Sequence, residues 1–182
     1  MIQAGDHIHN RITGEDVTFL EINDARSRAR FTLPAQALGV FLHIHTTFAE
    51  TFQVLEGRLD MIVGDPKYPF FLYAEQRRTV PLRAVHRFWN SSDQPVVFEV
   101  EVVPARHLAE TLDTLFALAN AGGVKADGSP RHLFDLAIIG QLSESYLPGP
   151  PVWLQRAVFA VIAGIARMVG HQTIPPRRQP ST

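Results

Sequence analysis

The sequence predicts a mainly β fold class, a barrel or double-sheet sandwich, followed by a C-terminal helical extension of about three helices. Two observations predict it. Residues 17–103 are rich in Val, Ile, Phe and Thr in short runs separated by Gly, Pro, Asn and Asp, as in strands joined by turns. Beyond Pro104 the apolar residues recur at helical spacing instead. At 182 residues the chain is long enough for one domain with a sizeable core.

Strands are expected at 17–22, 29–33, 41–45, 51–55, 58–63, 70–73, 86–89 and 96–103. Glu56-Gly57 lies between two alternating runs, where glycine supplies the positive φ of a tight hairpin. In the last strand Phe98, Val100 and Val102 alternate with Glu99 and Glu101, so the apolar set should face inward and the acids face water.

In the helical part, Leu108, Leu112, Leu115 and Ala119 form one stripe, with Glu110 and Asp113 off it and Gly122-Gly123 as a stop. Ser129-Pro130 offers an N-cap and a first-turn proline for a second helix through about Ser143. The prolines from Pro148 to Pro151 introduce a third. There Arg156, Ala160, Ala163 and Arg167 share one narrow stripe and most of the circumference is apolar. Such a helix is expected to pack on the barrel or at a homodimer interface. Peripheral membrane contact through residues 152–170 is the disfavoured alternative, because two arginines make a thin basic face. The organisation expected is therefore a β-barrel with an N-terminal arm over 1–104, the helical extension over 105–172, and a proline-rich, basic, disordered tail over 173–182.

The formal net charge of -1 gives no overall field to attract nucleic acid. The absence of cysteine excludes disulfides, thiolate metal sites and a cysteine nucleophile. The N-terminus lacks the basic start and apolar run of a signal peptide, so a cytoplasmic protein is the expectation. In the most apolar segment only residues 157–166 are free of charge, too few to span a bilayer.

The chemistry concentrates in Gly39-Val-Phe-Leu-His43-Ile-His45-Thr-Thr-Phe-Ala-Glu50, followed by Gly57, and in Pro81-Leu-Arg-Ala-Val-His86-Arg-Phe-Trp-Asn90. Residues two apart on a strand face the same side, so His43 and His45 project inward together. Glu50 opens the next strand, and His86 supplies one more imidazole. Three neutral imidazoles and a carboxylate suit one divalent transition metal, with Fe, Mn, Ni, Cu, Co or Zn all accepted by such donors. A second His-x-His pair, His7 and His9, has no carboxylate and third histidine at matching spacing; His107, His132 and His171 are expected to be surface or capping residues.

These two segments resemble the two sequence motifs of the cupin superfamily. The first is matched by Gly39, His43, His45, Glu50 and Gly57; the second by Pro81, His86 and Asn90, with departures at Glu75 and Arg83, where the family has glycine. The resemblance covers roughly residues 31–103 and leaves the helices outside. It implies a double-stranded β-helix, a jelly-roll-like barrel, with the metal held inside by the positions of His43, His45, Glu50 and His86. Similar sites serve dioxygenases, including quercetin dioxygenase-like proteins, as well as isomerases, decarboxylases, lyases and non-catalytic modules, so the fold does not fix the reaction.

Alternation extends the reading to a substrate pocket. Phe41 should face inward with the histidines, Phe52 and Val54 with Glu50, and Phe88 and Asn90 with His86. Arg83 sits where it would reach the pocket mouth and grip a carboxylate. Asn90 also reads as a hydrogen-bonding residue behind the ligands. The expectation is a metal-dependent oxygenase of dioxygenase type acting on a small apolar or aromatic molecule, with Glu50 as ligand and proton acceptor. The alternative is a metal-containing small-molecule binding protein without turnover.

Overall fold

The computed structural model describes residues 2–173. The tail expected to be disordered lies, apart from Thr173, outside them. In chain order the elements are β1 (His7–His9), β2 (Asp16–Ile22), β3 (Ser27–Leu33), β4 (Ile44–His45), β5 (Ala49–Glu56), β6 (Arg58–Val63), β7 (Phe70–Tyr73), β8 (Arg77–Val80), β9 (His86–Trp89) and β10 (Val96–Val103), then α1 (Leu108–Asn120), α2 (Leu133–Ser143), β11 (Ser145–Tyr146) and α3 (Val152–Met168). The mainly β body and the three trailing helices agree with the expected fold class.

Two antiparallel sheets face each other. One runs β1-β2-β3-β10-β5-β8 and the other β7-β6-β9. A bridge between His43 and His86 carries the second sheet on to β4, which pairs in turn with β11. Apolar side chains from both inner faces fill the space between. Phe19, Phe52, Phe98, Leu33, Leu59 and Met61 are all fully buried, and burying each contributes about 1.5–3 kcal/mol. Phe98 stacks on Phe31 at 5.3 Å and meets Phe88 edge-on at 5.5 Å. Glu99 and Glu101 turn outward as expected, under arginines of the same sheet: Arg30 of β3 lies 2.8 Å from Glu99 and Arg77 of β8 lies 3.4 Å from Glu101.

Three strands escaped the sequence reading. β1 and β8 each bury one side chain, Ile8 and Val80, so neither alternates long enough to register. β11 has two residues and stands among helices. The expected strand 41–45 shrinks to Ile44–His45. Ahead of it Gly39 has a φ of +61° and comes so close to Phe88 that a Cβ would lie 2.0 Å from the Phe88 carbonyl oxygen; only glycine fits there.

The second helix begins at Leu133 rather than near Pro130, with His132 as its N-cap accepting from the Phe134 N–H. Ser129 and Pro130 instead close a turn, through the Lys125 N–H to the Ser129 carbonyl and a bridge between Pro130 and Val124. α1 packs on the barrel through Phe116 and on α2 through Leu118 and Ala119. α3 lies against α2, where a Cβ on Gly140 would meet the Phe159 ring at 2.6 Å. It buries only Ala163 and Ala166, lays Phe159 half-buried on α2 and leaves Trp153, Val161 and Met168 exposed, so its small residues pack inward and most of its large apolar ones do not. Among the described residues no helix is long and apolar enough to cross a membrane.

Candidate metal centre

Four side chains from three segments meet inside the barrel. His45 lies in β4, Glu50 opens β5, and His86 begins β9 with His43 bridged to it. All four are buried, and one donor atom from each lies within 4.8 Å of the others. Nε2 of His43 is 3.0 Å from Nε2 of His45, Nε2 of His86 is 2.9 Å from Oε2 of Glu50, and Nε2 of His45 is 3.6 Å from the same oxygen.

The outer nitrogens fix what the inner ones present. Nδ1 of His43 donates to the Phe41 carbonyl at 2.8 Å, Nδ1 of His86 to the Ala84 carbonyl at 3.1 Å, and Nδ1 of His45 to the Glu144 carbonyl at 3.4 Å. A carbonyl oxygen only accepts, so each Nδ1 carries the proton, and a neutral ring then offers a lone pair at Nε2. Burial drives the charged form of His43 down, to a pKa of about 3, reinforced by His86 and His45; burial also pushes His45 down. For Glu50 burial works against the charge, but the neighbouring imidazoles of His45, His86 and His43 outweigh it and leave the carboxyl at about 2. The set is thus two neutral imidazole lone pairs facing each other at 3.0 Å beside an ionised carboxylate. Such a donor set fits a divalent transition metal, which takes deprotonated nitrogen and oxygen ligands.

The other residues singled out from the sequence are placed as follows. Phe52 and Val54 are fully buried, and Phe52 packs on Phe88 and Phe98 at 5.4 and 6.1 Å. Phe41 does not turn inward. It is 57% exposed, because the pairing that should orient it begins only at His43, two residues later, and its ring tilts toward His43 at 5.6 Å. Asn90 is buried in a turn, donating to the Pro34 and Gln94 carbonyls and accepting from Ser92. Arg83 is exposed, with its N–H on the His45 carbonyl at 2.7 Å. It lines a groove of about 450 Å³ with Ile44, Thr46, Val152, Trp153 and Arg156. Ile44 and Thr46 alternate with His43 and His45, so this groove lies on the opposite face of β4 from the imidazoles.

Glu75 and Arg83, standing where the motif has glycine, nonetheless hold left-handed backbone, with φ of +70° and +64°. The turn before His86 keeps the conformation without the residue that makes it cheap.

Sequence reasoning missed Phe48, which is buried with its ring 4.1 Å from that of His45. Its place between His45 and Glu50 was the available signal. It also missed Glu144, whose contribution is a main-chain carbonyl. A third omission lies in the helices: His132, Asp135 and His171 gather with donor atoms within 4.8 Å. There His132 caps α2 through Nδ1 and His171 donates to Asp135 at 2.7 Å, a latch between the start of α2 and the residues after α3.

No family model matches the chain, and no curated protein matches it. Solved structures do. An RmlC-like cupin from Shewanella frigidimarina is 20% identical over 54% of this chain and 84% of its own, with a TM-score of 0.47. A structure from Silicibacter pomeroyi described as a sugar phosphate isomerase from a cupin superfamily is 17% identical over 55% of this chain and 71% of its own, at 0.47. The cupin-2 domain of an XRE family transcriptional regulator from Enterobacter cloacae is 22% identical over 50% of this chain and 98% of its own, at 0.44. Likenesses this distant say nothing of activity. The strand order and registers define the class themselves: two facing antiparallel sheets wound as a double-stranded β-helix around a buried His/Glu group. That is the cupin fold, and the residues matching the cupin motifs are the ones that converge inside it.

Proposed function

We propose that the barrel holds one divalent transition metal through His43, His45, Glu50 and His86, and that the protein is a metal-dependent oxygenase of dioxygenase type acting on a small apolar or aromatic molecule. The observation that carries the metal reading is the pair of Nε2 atoms 3.0 Å apart on two rings whose protons are both held on the outer side. When bound, such an ion supplies Lewis acidity and, for Fe, Mn, Cu, Co or Ni, a redox partner for oxygen.

The chain's own residues define the rest. The three Nδ1–H bonds hold the rings so that their lone pairs point at one spot. Glu50 is the one carboxylate of the four, and its Oε2 is the atom able to take a proton from a substrate hydroxyl. The Phe48 ring against His45, with the exposed Phe41 ring tilted toward His43, puts aromatic carbon beside the centre, which favours an apolar partner over a sugar phosphate.

A specific observation supports a second reading, a metal-containing binding protein without turnover: Phe52, Val54 and Phe88 fill the barrel with their own packing. Oxygen uptake by metal-loaded protein, measured across a panel of small aromatic compounds, separates the two. Uptake that disappears with Glu50→Gln supports the oxygenase. Compounds that bind tightly with no uptake favour the second reading.

A further inference from the structure

We infer that the helical extension is a working part of the metal centre, with Glu144 acting as a positioning residue that holds the His45 imidazole in its ligating orientation. The inference rests on the metal-binding reading of the barrel. His43 and His86 each send their Nδ1 proton to a carbonyl two residues back, on Phe41 and Ala84. His45 does not use that solution. The carbonyl two residues before it belongs to His43 and is engaged by the His86 N–H at 2.9 Å. Its acceptor comes from 99 residues further along the chain, the Glu144 carbonyl at 3.4 Å.

Glu144 is built to be held there. It ends α2 in left-handed conformation, φ +48°, which turns the chain into β11. Ser145 and Tyr146 then pair with His45 and Ile44. The Glu144 carboxylate accepts the Thr47 hydroxyl proton and lies 4.0 Å from Arg106. From α3, Arg156 donates to the Thr46 hydroxyl at 2.8 Å and to the Tyr146 hydroxyl at 3.0 Å. Residues 44–47 are therefore gripped by the end of α2, by β11 and by α3. Without the Glu144 carbonyl, His45 has no fixed acceptor for its Nδ1 proton. The ring is then free to place that proton on Nε2, the nitrogen required as a ligand.

The test uses full-length protein with two readouts: imidazole 1H–15N correlation spectra of metal-free protein, which report the His45 tautomer, and competition titration with Co2+. Glu144→Gln keeps an acceptor for Thr47, whereas Glu144→Val removes it and resists positive φ. Wild type and Glu144→Gln are expected to hold His45 protonated at Nδ1. Glu144→Val is expected to move proton density to Nε2 and to weaken Co2+ binding about tenfold to a hundredfold, as loss of a partner behind a ligand does. If either readout stays at its wild-type value in Glu144→Val, the inference is overturned while metal binding stands. Failure of wild type to bind Co2+ overturns the metal reading, and the tautomer then decides the role of Glu144 alone. Should Glu144→Val not fold, Thr47→Val with Thr47→Ser as its conservative counterpart takes its place: the same loss and rescue are expected, and identical spectra in both overturn the inference.

Discussion

Nε2 of His43 lies 3.0 Å from Nε2 of His45, and both rings give their outer proton to a main-chain carbonyl. That relationship, beside the Glu50 carboxylate, is what lets the barrel interior hold a cation in the proposed reading. Several consequences can be measured.

Asn90 is structural. Its amide satisfies two carbonyls and its oxygen accepts from Ser92, all in a buried turn. Asn90→Ala should lower stability by about 1–3 kcal/mol in urea unfolding, because the Pro34 carbonyl loses the Asn90 donor and the Gln94 carbonyl keeps only the Ser92 hydroxyl. Metal affinity should stay within twofold, roughly the experimental spread. A selective loss of metal with unchanged stability would place Asn90 in the site after all.

Glu75 and Arg83 hold left-handed backbone that costs a non-glycine residue about 1–2 kcal/mol, partly offset by the entropy glycine loses on folding. Glu75→Gly and Arg83→Gly are each expected to raise stability by about 0.5–1 kcal/mol, read as a higher thermal midpoint. A drop in both would mean that their side chains hold the turn more than its backbone strains it.

Metal-free protein should lose stability on acidification. The unfolded chain takes up a proton on His43 near its ordinary value of 6.5, while burial keeps the native ring neutral down to about 3. Glu50 likewise protonates near 4.5 when unfolded and only near 2 when native. In both windows the unfolded state binds more protons, so stability falls as pH falls, first below 6.5 and again below 4.5. In chelator-treated protein the urea midpoint should drop between pH 7 and 5, and His43→Gln should flatten that slope. A midpoint that holds level over that range contradicts the assignment.

The large apolar residues of α3 bear on assembly. Trp153, Val161 and Met168 are exposed, while Arg156 and Arg167 are engaged by Tyr146, Thr46 and Gln141 of the same chain. With both cations of the helix occupied, we propose a second copy of the chain rather than an anionic lipid surface as the partner of this face. Sedimentation should report a dimer that Trp153→Glu with Met168→Glu converts to monomer. A wild-type monomer at micromolar concentration would dismiss the proposal.

The barrel and the centre were legible because the physics behind them is local. Period-two alternation put His43 beside His45, Glu50 opened the adjoining strand, and His86 was the one histidine in the second motif. Phe41 does not take the expected orientation because a strand is read from residue 41, whereas the pairing begins only at the His43 bridge, a tertiary fact. Glu144 left no trace in the sequence, since any residue carries a carbonyl and the contact spans 99 positions. The latch of His132, Asp135 and His171 was equally hidden, its partners being 36 residues apart.

The central claim is that four side chains share one ion, and metal content tests it most directly. Elemental analysis of protein purified without added metal, then after loading and desalting, is compared with His43→Ala and His86→Ala, each checked for folding by circular dichroism. The account predicts close to one divalent transition metal per loaded wild-type chain and a loss of most of it in both variants. Equal metal content in all three proteins, or none in loaded wild type, would contradict it.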